Sequence, residues 1–344
     1  MATKSRPPGQ SSRCSIAPYH KYASPELQQS ILSLLRRAFS AVYSDPETLA
    51  DTIQSVKAHL YARDYAAAFE SPDYLLAYAV RWSSSRALAY LHVLGDLCPH
   101  ISEILTSTSK KPNNKKKNIL CIGGGAGGEV LALATLANDL GAKNVNILAI
   151  DIAHWDDVFL SLRDGIRRGL GWDKKEESDD IAKDSIQLNF SQMDILDVPC
   201  YLEGDGAAVL ASDGDALEPA GGNCSSDDRV DFGSLDIITI MFTTNELFAQ
   251  SKPKTLTLFR YITDNCRPGT LLVLLESAGS YSHIQIGSKT FPVQFLLDHI
   301  MVDDGAGWEK VVHDDAAWFR IQKDLKYPLE LENMRFFLRL YRRI

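Results

Sequence analysis

Between Ser24 and Thr106 apolar residues recur at helical spacing. Leu27, Ile31, Leu34, Leu35 and Ala38 fall on one face, and Tyr74, Ala77, Tyr78, then Leu88, Leu91 and Leu94, continue the pattern. Three runs start at a Ser-Pro or Asp-Pro pair: Ser24-Pro25, Asp45-Pro46 and Ser71-Pro72. Each pair suits an N-cap followed by proline in the first helical turn. Residues 24–106 therefore predict a module of four or five helices. From Asn118 the period changes. Strand-length apolar runs at 119–122, 146–150, 186–190, 235–241 and 270–275 alternate with helical stretches at 128–140, 155–170 and 252–266. That alternation predicts an α/β domain, 118–344, with a parallel, doubly wound sheet. At the C-terminus Phe336, Leu338 and Leu340 share one strand face, and Arg335, Phe337, Arg339, Tyr341 and Arg343 the other. A strand added so late joins such a sheet most easily antiparallel.

Charge refines this layout. The net charge is −8, but residues 200–234 hold eight acids against Arg229 alone, so most of the excess sits in that one segment. Its Gly, Ala and Ser content predicts a disordered, solvated insertion. The folded remainder is near neutral, so the acidic balance does not exclude a nucleic-acid partner. Residues 1–23 carry Lys4, Arg6, Arg13 and Lys21 without an apolar core, and predict a disordered tail rather than a secretory signal. Residues 107–117, with five lysines, predict a basic linker. The six cysteines are scattered, with no C-x-x-C pair, so neither a metal site nor a disulfide framework is expected. No apolar run reaches the roughly 18 residues needed to span a bilayer, so no membrane partner is expected.

The candidate chemistry begins at Asn118–Val130, N-I-L-C-I-G-G-G-A-G-G-E-V, which places a glycine-rich turn between a buried strand and a helix N-terminus. Such a turn lets a ligand approach the backbone closely and meets the positive end of the helix. Gly123-x-Gly125-x-x-Gly128 with Asp151 fits a dinucleotide site. Gly123, Gly124, Gly125 and Gly127 with Asp151 and Ile152 equally fit S-adenosylmethionine (SAM), Asp151 accepting from the ribose hydroxyls. Three features favour SAM. Asp194 and Ile195 follow the third strand and suit the adenine amino group and ring. Phe242-Thr243-Thr244-Asn245-Glu246 ends the fourth strand, where the methyl group would emerge. Arg267-Pro268-Gly269 leads into a fifth strand. Cys121 stands where many such enzymes carry an acid, and Glu129 is a candidate substitute.

Glu246 could accept a proton from a weakly acidic N–H, and Asn245 could orient a base edge; an ordinary helix cap and early-turn acid is the competing reading. Arg81-Trp82-Ser83-Ser84-Ser85-Arg86 reads as a junction between two helices. Arg81, Trp82 and Arg86 suit phosphate contact and base stacking, although Trp82 could equally pack in the module's core. Thr244 is a further candidate substrate contact. Tyr281-Ser282-His283 could close over the site, and the basic-aromatic face of the last strand could meet RNA.

Four stretches resemble the fungal 25S ribosomal RNA uridine-N3 methyltransferases. They are Tyr78–Tyr90 (Y-A-V-R-W-S-S-S-R-A-L-A-Y), Ile119–Val130, Met241–Phe248 (M-F-T-T-N-E-L-F) and Tyr327–Tyr341 (Y-P-L-E-L-E-N-M-R-F-F-L-R-L-Y). The resemblance implies a Rossmann-like class I methyltransferase: a mostly parallel, seven-stranded sheet, an antiparallel C-terminal strand and an N-terminal helical module. It implies methyl transfer from SAM to uridine N3 in ribosomal RNA or a pre-ribosomal particle. Under it Glu246 and Asn245 serve catalysis, Phe242 joins the cofactor contacts, and the enzyme works as a monomer in the nucleus or nucleolus, and in the cytoplasm as well. A small-molecule methyltransferase with the helical module as a lid, and a non-catalytic assembly scaffold, are the alternatives.

Overall fold

A computed structural model describes residues 20–107, 116–172, 186–198, 230–279, 282–286, 289–303 and 307–344. The expected tail up to residue 19, linker residues 108–115, residues 199–229 of the acidic insertion, and Tyr281 lie outside the described residues.

The helical region contains α1 (Pro25–Ala38), α2 (Pro46–Ala62), α3 (Tyr65–Ala68), α4 (Pro72–Tyr78), α5 (Ser84–Asp96) and α6 (Cys98–Leu105). The three caps form as the proline pairs suggest. Ser24 Oγ accepts from Leu27 N at 3.2 Å, Asp45 Oδ1 from Thr48 N at 3.1 Å, and Ser71 Oγ from Tyr74 N at 3.3 Å. The expected junction at Arg81–Arg86 is not a turn. A π-helical stretch, Ala79–Ser83, carries α4 into α5 without a break. Such stretches are rare inside helices and cluster at functional sites.

The α/β region follows as β1 (Lys117–Ile122), α7 (Gly128–Asp139), β2 (Val145–Asp151), α8 (Asp156–Gly169), β3 (Ile186–Gln192) and β4 (Leu235–Met241). Then come α9 (Thr244–Gln250), α10 (Lys252–Asn265), β5 (Leu271–Ser277), a small hairpin of β6 (His283–Ile286) and β7 (Lys289–Pro292), α11 (Val293–Val302), β8 (Trp308–Phe319) and β9 (Met334–Arg343). Seven strands form one sheet in the order β3-β2-β1-β4-β5-β9-β8. β1 to β5 pair in parallel, and β9 runs antiparallel between β5 and β8. This is the class I Rossmann-like methyltransferase topology.

Alternation along the strands divides the interior between the two sheet faces. Ile119 and Cys121, Leu271 and Val273, and Phe336, Leu338 and Leu340 enter one core with α7, α8 and the N-terminal helices. Leu120 and Ile122, Leu272 and Leu274, and Phe337 and Tyr341 enter the other with α9, α10 and α11. The helical region is therefore one layer of the domain, not a detachable module. α7 is buried from Gly128 to Ala137 because it lies between the sheet and α5. α1 seats closely on α8: a Cβ at Gly165 would stand 2.7 Å from that of Ala38.

Two expected boundaries shift. His20–Ala23 forms a 3-10 turn, and Tyr22 is buried with its hydroxyl donating to Asp139 at 2.6 Å, so the helical layer includes residues before Ser24. Phe232–Ser234 is likewise ordered, with Phe232 in the second core. On the basic-aromatic face of β9, Arg339 and Tyr341 are not available to RNA. Arg339 is buried and bonds Asp298 at 3.0 Å and Asp315 at 2.6 Å, while Tyr341 donates to Asp298 at 2.7 Å.

Candidate active site

The carboxyl ends of β1, β2 and β4 open into a cavity of about 610 Å³, closed on its far side by the helical layer. A narrower pocket of about 50 Å³ adjoins it toward β3, and both share Gly123, Asp151, Ile152, Thr243, Glu246 and Gln250. Open α/β sheets bind ligands at this edge, where strand order reverses.

The glycine loop works differently from the simple expectation of a bare ledge for a ligand. Gly123 and Gly127 have φ of +74° and +76°, which only glycine adopts without strain. A Cβ at Gly123 would meet Thr243 Oγ1 at 2.2 Å, at Gly125 Trp155 Cδ1 at 2.0 Å, and at Gly127 Leu162 Cδ2 at 1.9 Å. The missing side chains thus make room for the protein's own packing. Gly123 and Gly124 donate to Ile150 O, Gly125 to Asp151 Oδ2, and Gly127 to Gly124 O. Gly123, Gly124 and Gly127 line the cavity; Gly125 does not, because it sits against Trp155 and anchors Asp151.

Asp151 ends β2. Its Oδ2 accepts from Gly125 N at 3.2 Å and its Oδ1 from Ala153 N at 3.1 Å. Burial pushes its pKa up to about 6, against the lowering effect of those two N–H donors. Beside it Ile152 is 54% exposed, an apolar surface at the junction of the two pockets. Asp194 and Ile195 line the narrower pocket with Met193. Asp194 Oδ1 accepts from Leu196 N at 2.9 Å and Oδ2 from Gln250 Nε2 at 2.6 Å, which fixes the carboxylate at the pocket wall.

These residues fit SAM. Asp151 could accept from ribose hydroxyls, and Ile152 and Ile195 could contact an adenine ring. Asp194 offers an acceptor to its amino group. At the other end Glu129, in the first turn of α7, is buried with Oε1 lacking any hydrogen-bond partner among the described residues. Burial pushes its pKa up to about 8. An orphaned buried carboxylate is costly unless a ligand completes it. Glu129 thereby suits the methionine ammonium, and Cys121 is buried in the sheet core behind it.

Glu246, in the first turn of α9, lines both pockets. Its pKa is raised to about 8, chiefly by burial and then by neighbouring Asp151 and Glu276, with Arg86 opposing them. Arg86 lies over the rings of Tyr78 and Phe242, each 5.3 Å from the guanidinium carbon, and hydrogen-bonds the Tyr78 hydroxyl. Phe242 holds φ +62° at the end of β4, rare strain for a bulky side chain. Strain of this kind gathers at functional sites.

Other expected contacts lie elsewhere. Asn245 does not line the cavity: its Nδ2 donates to Ser282 Oγ at 3.0 Å and its backbone N–H to Glu276 Oε2 at 3.1 Å. Thr244 is fully buried. Arg81 is buried too, donating to Glu330 O at 3.0 Å and pairing with Glu332, so it ties the C-terminal segment to the helical layer. Trp82 packs against Tyr78 at 5.1 Å, outside the cavity lining. The residues that sequence reasoning missed are aromatic. Tyr65, Phe69, Tyr78, Tyr90 and Trp155 line the cavity, with Phe69 5.0 Å from Tyr78 and 5.7 Å from Trp155. Among the described residues no group of His, Cys, Asp or Glu could hold a metal ion.

Sheet order, glycine loop and the acids at successive strand ends define a class I methyltransferase. The chain belongs to the SAM-dependent methyltransferase family Methyltransf_34, whose model matches residues 35–342. It is 38% identical over 323 residues to the 25S rRNA (uridine(2843)-N(3))-methyltransferase of Saccharomyces cerevisiae, covering 87% of this chain and 79% of that one. Solved structures similar to it include the CurJ carbon methyltransferase (12% identity, TM-score 0.43, 90% of this chain and 70% of that one). Another is the citrinin polyketide synthase CMeT domain (15% identity, TM-score 0.40, 80% and 58%).

Proposed function

We propose that this enzyme methylates N3 of a uridine in large-subunit (25S) ribosomal RNA. The observation that carries the reading is the likeness to the yeast enzyme along 87% of the chain. The cavity supports it, placing a proton acceptor, Glu246, beside a cation, Arg86, and an aromatic wall.

When bound, SAM supplies an electrophilic methyl group on a sulfonium sulfur. Asp151, Asp194 and Glu129 would hold its ribose, adenine and methionine ends. Uridine N3 carries a hydrogen and lies on the Watson–Crick edge, so the nucleotide must be unpaired or turned out of a helix. Tyr65 and Phe69 offer faces against which the base can rest. Glu246, in its ionised form, takes the N3 proton, and its pKa of about 8 makes it a stronger base than an ordinary glutamate. Arg86 offsets the negative charge that spreads over the ring as the proton leaves. Aligning N3 with the methyl carbon accounts for the rest.

The chain's own helical layer closes the cavity, which supports action as a monomer. The substrate supports a nuclear or nucleolar site of work. No described helix is long and apolar enough to cross a membrane. Mapping N3-methyluridine in 25S rRNA from cells lacking this protein tests the reading. One such residue should disappear and return with the wild-type chain; an unchanged map refutes it.

A further inference from the structure

Trp318 stands apart from every site described so far. It is 50% exposed at the carboxyl end of β8, although most large apolar side chains of the sheet are buried. Arg320 lies over its ring at 4.7 Å, and Arg335, its cross-strand partner on β9, at 6.0 Å. Both arginines are exposed, and among the described residues neither guanidinium is paired with an acid. Two acids of the same region are committed elsewhere, Asp315 to Arg339 and Glu332 to Arg81. The half-exposed indole thus stands beside two cations that have no acidic partner among the described residues.

Position gives the cluster its meaning. β8 and β5 both pair antiparallel with β9, so β8 runs in the direction of the parallel strands. Its carboxyl end, with Trp318, therefore lies on the same sheet edge as the mouth of the cavity. Three strand spacings separate β8 from β4, roughly 14 Å across the sheet. An RNA strand that delivers a uridine to Glu246 can reach that distance with its neighbouring nucleotides.

We propose that Trp318, Arg320 and Arg335 form a docking platform for single-stranded RNA flanking the target uridine. Trp318 stacks on a base, and the two guanidiniums meet phosphates or the same base from the side. This combination of ring face and cations binds unpaired nucleic acid without regard to sequence. The proposal rests on the RNA reading of the cavity, but it concerns a separate surface.

The test uses the full-length protein and a labelled single-stranded oligouridylate, with affinity read by fluorescence anisotropy. Trp318→Ala should weaken binding by roughly five- to a hundred-fold, and Trp318→Phe should retain most of it. The double variant Arg320→Ala/Arg335→Ala should bind more weakly and lower the log–log salt slope by about 1.4, as for two lost phosphate contacts on a single strand. SAM affinity, measured by calorimetry, should stay at the wild-type value in all three and certifies their fold. Wild-type oligouridylate affinity in Trp318→Ala overturns the platform, as does failure of the cofactor-competent wild type to bind oligouridylate. N3-methyluridine formed in added rRNA judges the uridine reading separately. Its absence, with Trp318-dependent RNA binding, removes that reading and leaves the platform standing.

Discussion

The two walls of the cavity are built by different means. The wall proposed to hold the cofactor consists of short stretches at successive strand ends: the glycine loop, Asp151-Ile152 and Asp194-Ile195. The sheet places them, and backbone N–H groups fix the carboxylates of Asp151 and Asp194. The acceptor wall is assembled from side chains far apart in sequence: Tyr65 and Phe69 after α2, Tyr78 and Arg86 around the π-helical stretch, and Phe242 after β4. One wall depends on backbone geometry that any class I sheet supplies. The other depends on how this helical layer seats on this sheet, so substrate choice belongs to it. Glu246 sits at the seam and borders both pockets.

The strongest test of this division is Glu246→Gln. The amide keeps the shape and loses the proton acceptor. Methyl transfer to rRNA should fall by about 10²–10⁴-fold, the usual range for a lost general base, while SAM affinity by calorimetry stays within about twofold. Undiminished turnover would remove Glu246 from the chemistry. A parallel fall in SAM affinity would assign it to the cofactor wall.

Asp151→Ala addresses the other wall. It should weaken SAM binding by about 1–3 kcal/mol, the range for a hydrogen bond to a charged group. Part of that loss is indirect, because the carboxylate also anchors Gly125 of the loop. With saturating cofactor the KM for rRNA should stay unchanged. Wild-type SAM affinity would refute the ribose role, and a raised rRNA KM would show that the two walls are not separable.

The same division explains what the sequence reveals. β1, the glycine loop and Asp151 are contiguous, and their chemistry follows from local backbone demands. The alternating faces of β9 are legible as well, since a strand buried on both sides shows two apolar rows, here Phe336, Leu338 and Leu340 against Phe337 and Tyr341. What alternation cannot show is that Arg339 turns inward to Asp298 and Asp315. β8 escapes notice because His313 to Ala316 are all exposed, which breaks the alternation of buried and exposed positions. The Arg81–Arg86 stretch misleads in a different way. Both arginines have stacking neighbours, yet Arg81 turns to Glu330 and Glu332, far along the chain, and Arg86 turns into the cavity. Tyr65 and Phe69 carry no local signal, because only tertiary packing brings them to the site.

The smallest expected effect concerns protons. Glu129 and Glu246 both hold pKa values near 8 in the folded protein, against 4.5 for an ordinary glutamate. The folded state therefore keeps protons that the unfolded chain releases above about pH 4.5. Their contribution to stability is full below that pH and is lost as pH rises toward 8. Without cofactor, the protein should be less stable at pH 8 than at pH 6, and Glu129 alone should contribute about 2 kcal/mol of that difference. Glu129→Gln stays neutral throughout, so its urea midpoint should fall less between the two pH values than that of the wild type. An identical fall in both proteins would show that Glu129 does not retain its proton in the fold. A fall reduced in Glu246→Gln but not in Glu129→Gln would put the retained proton at the seam rather than on the cofactor wall.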